Sequence, residues 1–364
     1  MWELLLRNTK IRESKMKNII GKSVICVLML ALVLAGGCGK QEKDETIVTD
    51  NLEKRPMIGL CFDSFVIERW QRDRDVFVSI AKELGADVNV QNANGDIETQ
   101  KEQIEYCIQK GVDVIVIVCI DSDGLADTVK KAKDAGIKVI AYDRLINDAD
   151  IDLYITFDNE RVGNLMADVL VNNGIKDKKV VMIGGSLKDN NVSVVENAFS
   201  QVMKENNVEI VGQTHCDGWK AELAADYVSD NIEMIENADA IMCGNDDLAA
   251  QVIMTLAERR LAGNILVTGQ DADLSACQRI VEGTQIMTVY KPVEKLAQQA
   301  AEYAVKMAKG EEYLSNGTVY INNGEYEVPY IGLVPLCVTK DNLDEVIINN
   351  GFHQRDEVYL NVSK

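Results

Sequence analysis

The chain has 364 residues, 47% of them hydrophobic, and a formal net charge of −20 at pH 7. That length exceeds one typical domain, so two are expected, each with enough apolar material for a packed core. So negative a chain argues against nucleic acid and anionic membrane surfaces as direct partners, and suits an uncharged or cationic ligand.

The N-terminus reads as a targeting segment. Met16-Lys17-Asn18 and Lys22 form a basic start, and Val24 to Ala35 is an apolar run too short to span a membrane. These features predict a signal peptide over residues 1–37 with Met16 as the translation start; an uncleaved signal anchor is the alternative. The LAGGC ending at Cys38 resembles a bacterial lipobox with one glycine more than the commonest form, which makes Cys38 the expected lipidation site. Residues 38–55 are polar and charged, a tether. Of nine cysteines, Cys26 lies in the leader, and the seven beyond Cys38 are scattered with no CxxC. They fit neither a disulfide framework nor a zinc site, and are expected to fill apolar strands and helix faces.

Beyond the tether, strand and helix patterns alternate. Met57–Phe62 reads as a strand, Glu68–Leu84 as a helix, Asp87–Gln91 as a strand and Asp96–Lys110 as a helix. Val112–Ile120 is a buried strand, Gly124–Ala135 a helix ended by Gly136, and Lys138–Tyr142 a strand. Short apolar runs between helices of this length predict βαβ units and a parallel sheet. Asn147 to Asn159 reads as a passage toward a second lobe, where the pattern restarts. There the expected strands are Lys179–Ile183, Glu209–Gln213, Ala240–Cys243, Ile265–Gly269 and Gln285–Tyr290. The helices between them are Val162–Asn172, Val192–Glu205, Ala221–Ile235, Leu248–Arg260 and Leu274–Glu282. A long helix at Val293–Lys309 precedes two crossing strands, Val319–Asn322 and Tyr330–Pro335, and a last helix at Asn342–Asn349. The expectation is an α/β protein of two lobes, 56–158 plus 291–323 and 159–290 plus 324–364.

The informative regularity lies at the strand ends. Phe62 leads into Asp63 and then Glu68-Arg69-Trp70, and Tyr142 into Asp143-Arg144. Ile183 leads into Gly184-Gly185-Ser186 and Asn190-Asn191, and Gln213 through Cys216 to Asp217-Gly218-Trp219. Cys243 leads into Asn245-Asp246-Asp247, Gly269 into Gln270-Asp271, and Tyr290 into Lys291. In open α/β sheets ligands bind just outside the carboxyl ends of the strands. Planar and charged side chains there can saturate the hydroxyls of a sugar with charge-assisted bonds. Trp70 and Trp219 read as lying in polar loops rather than apolar runs, one in each lobe, as platforms for the flat C–H faces of a sugar ring would. Each residue also has a plainer reading. An Asp or Asn after a strand is an ordinary N-cap, favoured here for Asp246 or Asp247, and Arg69 and Lys291 could be solvated. The joint pattern supports the site.

Other chemistries lack their residues. No GxGxxG follows the first strand, no GxxxxGK[ST] occurs, and His215 and His353 have no nearby metal partners in sequence. Asp148, Asp150 and Asp152 begin with calcium-loop spacing, but Leu153 and Asn159 replace the required Gly and Glu.

The runs ERWQRDRDVFV, QNANGDIETQ, AYDRLINDADIDLYITFDNE, GGSLKDNN, DGW, CGNDD, GQDADL and GTQIMTVYKP carry a resemblance. Over roughly Met57 to Phe352 the chain resembles the D-xylose-binding proteins of bacterial ABC sugar importers, in the type 1 group of periplasmic binding proteins. The resemblance implies two Rossmann-like lobes joined by three crossovers and closing on one monosaccharide, with no cofactor and no catalysis. Its sugar ligands fall on Arg69, Asp143, Arg144, Asn191, Asn245, Asp271 and Lys291, and its stacking residues on Trp70 and Trp219. Strand ends alone point to most of these; Asn191 rather than Asn190 rests on the resemblance. The lipobox, the cysteines and Leu187-Lys188 depart from the family pattern and imply a membrane-tethered, extracytoplasmic version. The expected partners are D-xylose and an ABC sugar permease, with the protein a monomer. A xylose sensor presenting occupancy to a membrane kinase or chemoreceptor is the alternative; a glycosidase or sugar isomerase, and a sugar-responsive repressor, are weaker ones.

Overall fold

The computed structural model describes residues 55–175 and 178–362. The expected signal peptide, Cys38 and all of the tether except Arg55 lie outside the described residues. Five strands precede residue 158: β1 (Met57–Phe62), β2 (Asp87–Asn92), β3 (Val114–Ile117), β4 (Lys138–Tyr142) and β5 (Leu153–Phe157). Five follow it: β6 (Lys179–Gly184), β7 (Glu209–His215), β8 (Ala240–Cys243), β9 (Leu266–Gln270) and β10 (Met287–Tyr290). The tail adds β11 (Val319–Asn322), β12 (Glu327–Leu333) and β13 (Leu336–Thr339).

They form two sheets. The first runs β11-β12-β5-β4-β3-β1-β2 and the second β13-β10-β9-β8-β6-β7. All neighbours are parallel except β11–β12 and β10–β13. The first five strands are ordered 5-4-3-1-2, and the next five repeat that order, so each lobe is doubly wound with its switch point beside its first strand. Every residue of β3 is buried, as befits a parallel strand covered by helices on both faces. The helices start and stop where local chemistry dictates. Asp96 caps Ile97–Lys110 by accepting from the Thr99 amide at 2.6 Å, and Gly111 at φ 65° ends it.

The structure differs from the sequence reading in several places, and the expected helix Ala221–Ile235 is two, Glu222–Asp230 and Ile232–Ile235. Leu153–Phe157 is a buried strand of the first sheet, not a passage. Its entry is fixed by Asp152, which accepts from the Val139 amide at 2.9 Å and pairs with Lys133 at 2.6 Å and Lys138 at 2.9 Å. In the tail, Glu327–Leu333 pairs with β5 in the first sheet, so residues 324–333 join the first lobe and not the second. The expected helix at Asn342–Asn349 is a short π-type turn, Asp344–Ile348. The chain thus passes between the sheets three times, at residue 158, at 291–292 and at 334–335.

Close packing leaves several glycines without room for a side chain, and at Gly163 the obstacle is backbone. Gly163 lies in the helix Asn159–Asn172, which crosses the helix Asn190–Glu205. A Cβ there would stand 2.2 Å from the Val195 carbonyl oxygen and 2.9 Å from Ala198 Cβ. Because the first obstacle is backbone, the helices must part to admit it. Gly163→Ala should lower stability by about 1–3 kcal/mol. An unchanged urea midpoint would show that the helices do not meet this closely.

Candidate functional site

Three strand ends turn through conformations that L-residues rarely adopt. Asp143 has φ 65° after β4, Trp219 φ 59° after β7, and Asp271 and Ala272 φ 100° and 56° after β9. Such geometry is sterically costly and persists only when its surroundings over-determine it. The surroundings do so. The Asp143 amide donates to the Ile155 carbonyl at 2.8 Å, and its own carbonyl accepts from Thr156 Oγ1 at 2.6 Å, Asn191 Nδ2 at 3.0 Å and the Tyr154 hydroxyl at 3.1 Å. The Asp271 amide donates to Val289 at 2.8 Å, and the Trp219 amide to Cys216 at 3.0 Å.

These turns, with the other strand ends, wall a cavity of about 510 Å³ between the lobes, counting the space open at its mouth. All nine residues singled out in the sequence line it: Arg69, Trp70, Asp143, Arg144, Asn191, Trp219, Asn245, Asp271 and Lys291.

Its charges are buried and paired across the cleft. Arg69 lies 2.9 Å from Asp143, 3.0 Å from Asp73 and 3.9 Å from Asp271 of the second lobe. Lys291 meets Asp271 at 2.7 Å. Arg144 reaches Asp63 in its own lobe and Asp189 in the other, both at 2.8 Å. Burial alone would push the Asp143 carboxyl up, but Arg69, Lys291 and Arg144 together hold it below the usual carboxylate range. For Asp63, Asp73 and Asp189 burial prevails and the carboxyls are raised. Backbone contacts add to the seam: the Ser122 amide donates to the Lys188 carbonyl at 2.8 Å, and the Asn190 amide to Ser122 Oγ at 3.1 Å.

The two indoles are set differently. Trp70 lies in the first turn of the helix Arg69–Glu83, not in a loop, with the Arg69 guanidinium 4.3 Å from its ring centroid. Trp219 ends a short 3₁₀ turn, Asp217–Trp219, and covers Gly185, where a Cβ would come within 2.3 Å of its ring. Hence Gly185, the residue after β6, has to be glycine for the indole to lie there.

The structure adds residues that were not singled out as ligands from the sequence. Asp189, Glu196 and Gln270 also line the cavity. Gln270 closes β9 next to Asp271 and was visible as part of that strand end, whereas Glu196 lies mid-helix and has no sequence signal. The cap of the helix Asp246–Glu258 is Asn245, whose Oδ1 accepts from the Leu248 amide at 2.9 Å, and not Asp246 or Asp247. Asp246 instead braces the Asp271 turn, accepting from Thr288 Oγ1 and Gln285 Nε2 at 2.8 Å and from the Asp273 amide at 3.1 Å. Burial pushes its carboxyl up to about 7.

Four polar atoms of the lining have neither a hydrogen bond nor an ion pair: Trp70 Nε1, Trp219 Nε1, Glu196 Oε1 and Gln270 Oε1. A buried polar atom left unpaired costs about 1–3 kcal/mol. Two donors and two acceptors so placed match a ligand whose groups both give and accept hydrogen bonds. Among the described residues no group of three or more His, Cys, Asp or Glu is placed to hold a metal ion.

A family model described as a periplasmic binding protein domain matches residues 58–312. The chain is 44% identical over 310 residues to the D-xylose-binding periplasmic protein of Escherichia coli (strain K12), covering 84% of this chain and 93% of that one. It is 42% identical to the protein of the same name from Haemophilus influenzae, covering 83% and 92%. Among solved structures, an ABC transporter solute-binding protein from Clostridium phytofermentans with bound β-D-glucose superposes with a TM-score of 0.76 at 28% identity, covering 83% and 99%. The chain therefore belongs to the periplasmic binding proteins, receptors that hold a solute between two lobes and carry out no chemistry on it.

Proposed function

We propose that this protein is an extracytoplasmic lipoprotein that binds D-xylose in the cleft and delivers it to an ABC importer. The observation that carries the sugar reading is the convergence of nine polar and aromatic side chains from both lobes on one buried cavity whose cations already meet carboxylates. An anionic ligand would find no cation free to pair with it. A neutral polyol would meet spare donors and acceptors on paired groups, with indole faces for its C–H surface. Xylose in particular is supported by the relatives bearing that name at 44% and 42% identity. The lipid anchor is supported by the LAGGC run ending at Cys38.

The mechanism follows from where the ligand groups are mounted. Arg69, Trp70, Asp143 and Arg144 belong to the first sheet's strand ends, and Asn191, Trp219, Asn245 and Asp271 to the second's. Lys291 lies at the second crossing. A sugar touching both sets binds the closed arrangement better than an open one, and that difference in affinity drives closure. The closed form is then the one the permease receives.

Two measurements test this. Trp219→Ala and Asp271→Ala should each weaken xylose binding by more than tenfold, about 1.4 kcal/mol. Calorimetry giving near-wild-type affinity for both would remove the site assignment and leave the fold intact. In a thermal-shift screen of common pentoses and hexoses, xylose should raise the melting temperature most, because a ligand of the folded state stabilises by mass action. Stabilisation by a hexose and not by xylose would overturn the choice of sugar.

A further inference from the structure

Glu196 is an acidic side chain on the helix Asn190–Glu205, 7% exposed, and is not among the nine residues assigned to the ligand above. One of its oxygens is fully engaged. Oε2 accepts from Gln213 Nε2 at 3.0 Å and lies 3.0 Å from His215 Nε2, two groups mounted on the strand β7. The other, Oε1, has no partner. It lies against Gly184, where a Cβ would come within 2.0 Å of it, so any other residue there would displace the carboxylate. Glu196 shares the cavity lining with Gly184, Val192, Val195 and Met242, whose side chains carry no hydrogen-bond donor, and no donor of the other lining residues pairs with Oε1.

A carboxylate oxygen can only accept, and an acceptor buried without a donor is costly. Because Gln213 and His215 fix Oε2, the carboxylate cannot rotate away to find solvent. The donor has to come from the contents of the cavity. We infer that Glu196 is a further ligand-binding residue, whose Oε1 accepts a hydrogen bond from one hydroxyl of the bound sugar while Gln213 and His215 hold it in place. The inference rests on the cavity being the sugar site. It makes this wall selective: a ligand lacking that hydroxyl would leave the carboxylate unpaired, and discrimination through an unpaired buried polar group is steep.

The test pairs two variants with deoxy sugars. Glu196→Ala removes the acceptor, and Glu196→Gln keeps the shape while removing the charge; melting curves establish that each is folded, and either one suffices. Titration calorimetry is run with D-xylose and its four monodeoxy analogues. Against wild type, Glu196→Ala should lose tenfold or more on xylose, and Glu196→Gln a smaller factor in the same direction. For the one analogue lacking the hydroxyl that Glu196 contacts, the loss should shrink to twofold or less. A purely structural role predicts an equal loss on all five sugars, and that result, or wild-type affinity in both variants, would overturn the inference. If the wild-type protein bound none of the pentoses, the xylose reading itself would fall, a result distinguishable from a failure of Glu196 alone.

Discussion

The cleft is governed by the cost of burying charge. Arg69, Arg144 and Lys291 are almost wholly removed from solvent, as are Asp63, Asp73, Asp143, Asp189 and Asp271. An ion taken out of water costs several kcal/mol unless it is paired and its remaining hydrogen-bonding capacity is used. Each cation here has at least one carboxylate within 3 Å, and Arg69 and Arg144 have partners in both lobes. The strand order, the turns after β4 and β9 and the three crossings all serve to bring those partners together. Once they are paired, what remains for a ligand is hydrogen-bonding direction and not net charge, and this is what suits the pocket to a neutral polyol.

The second requirement is exact aim at low flexibility. Turning a strand end into the left-handed region swings its side chain off the sheet, and the turns at Asp143 and Asp271 are held by bonds to the neighbouring strand. Thr156 and Tyr154 of β5 grip the Asp143 carbonyl, which explains why a strand of only five residues, Leu153–Phe157, matters to a site it does not line with ligand groups. In the second lobe Thr288 Oγ1 accepts from the Ala272 amide at 3.2 Å, and His353 Nε2 lies 2.8 Å from the Ala272 carbonyl. His353 therefore supports the turn beside Asp271, and burial lowers its pKa below the ordinary histidine value.

Much of this was legible in the sequence because two periodicities dominate it. Apolar runs as short and β-branched as Val114–Ile117, bounded by turn signals, read as buried parallel strands, and the polar residues that follow them mark the mouth of the cleft. LYITF was less legible, because it follows an aspartate-rich loop and leads straight into the next helix. Leu336–Thr339 was missed for another reason: it is a strand of only four residues, of which Val338 alone is buried, following closely on the strand before it and pairing antiparallel at the sheet edge. Among site residues, Asn245 shows why capping and binding readings cannot be separated from sequence, since it caps a helix and lines the cavity at once. Glu196 was invisible, because a glutamate in a helix is ordinarily solvated and only the packing of β7 against that helix buries it.

The seam between the lobes contains contacts made apart from the ligand residues: Ser122 to Lys188, the Asn190 amide to Ser122 Oγ, and Arg72, whose guanidinium donates to the Phe352 carbonyl at 3.2 Å and lies 4.1 Å from its ring centroid. Their contribution to closure is the same with any sugar, because no sugar atom takes part. They therefore set the resting balance between open and shut, and the sugar adds only the remainder. For a membrane partner that recognises the shut form, this resting balance is the background against which a loaded receptor must be told from an unloaded one. Seam residues far from the cavity would then tune the contrast of the signal, while cavity residues tune which molecule produces it.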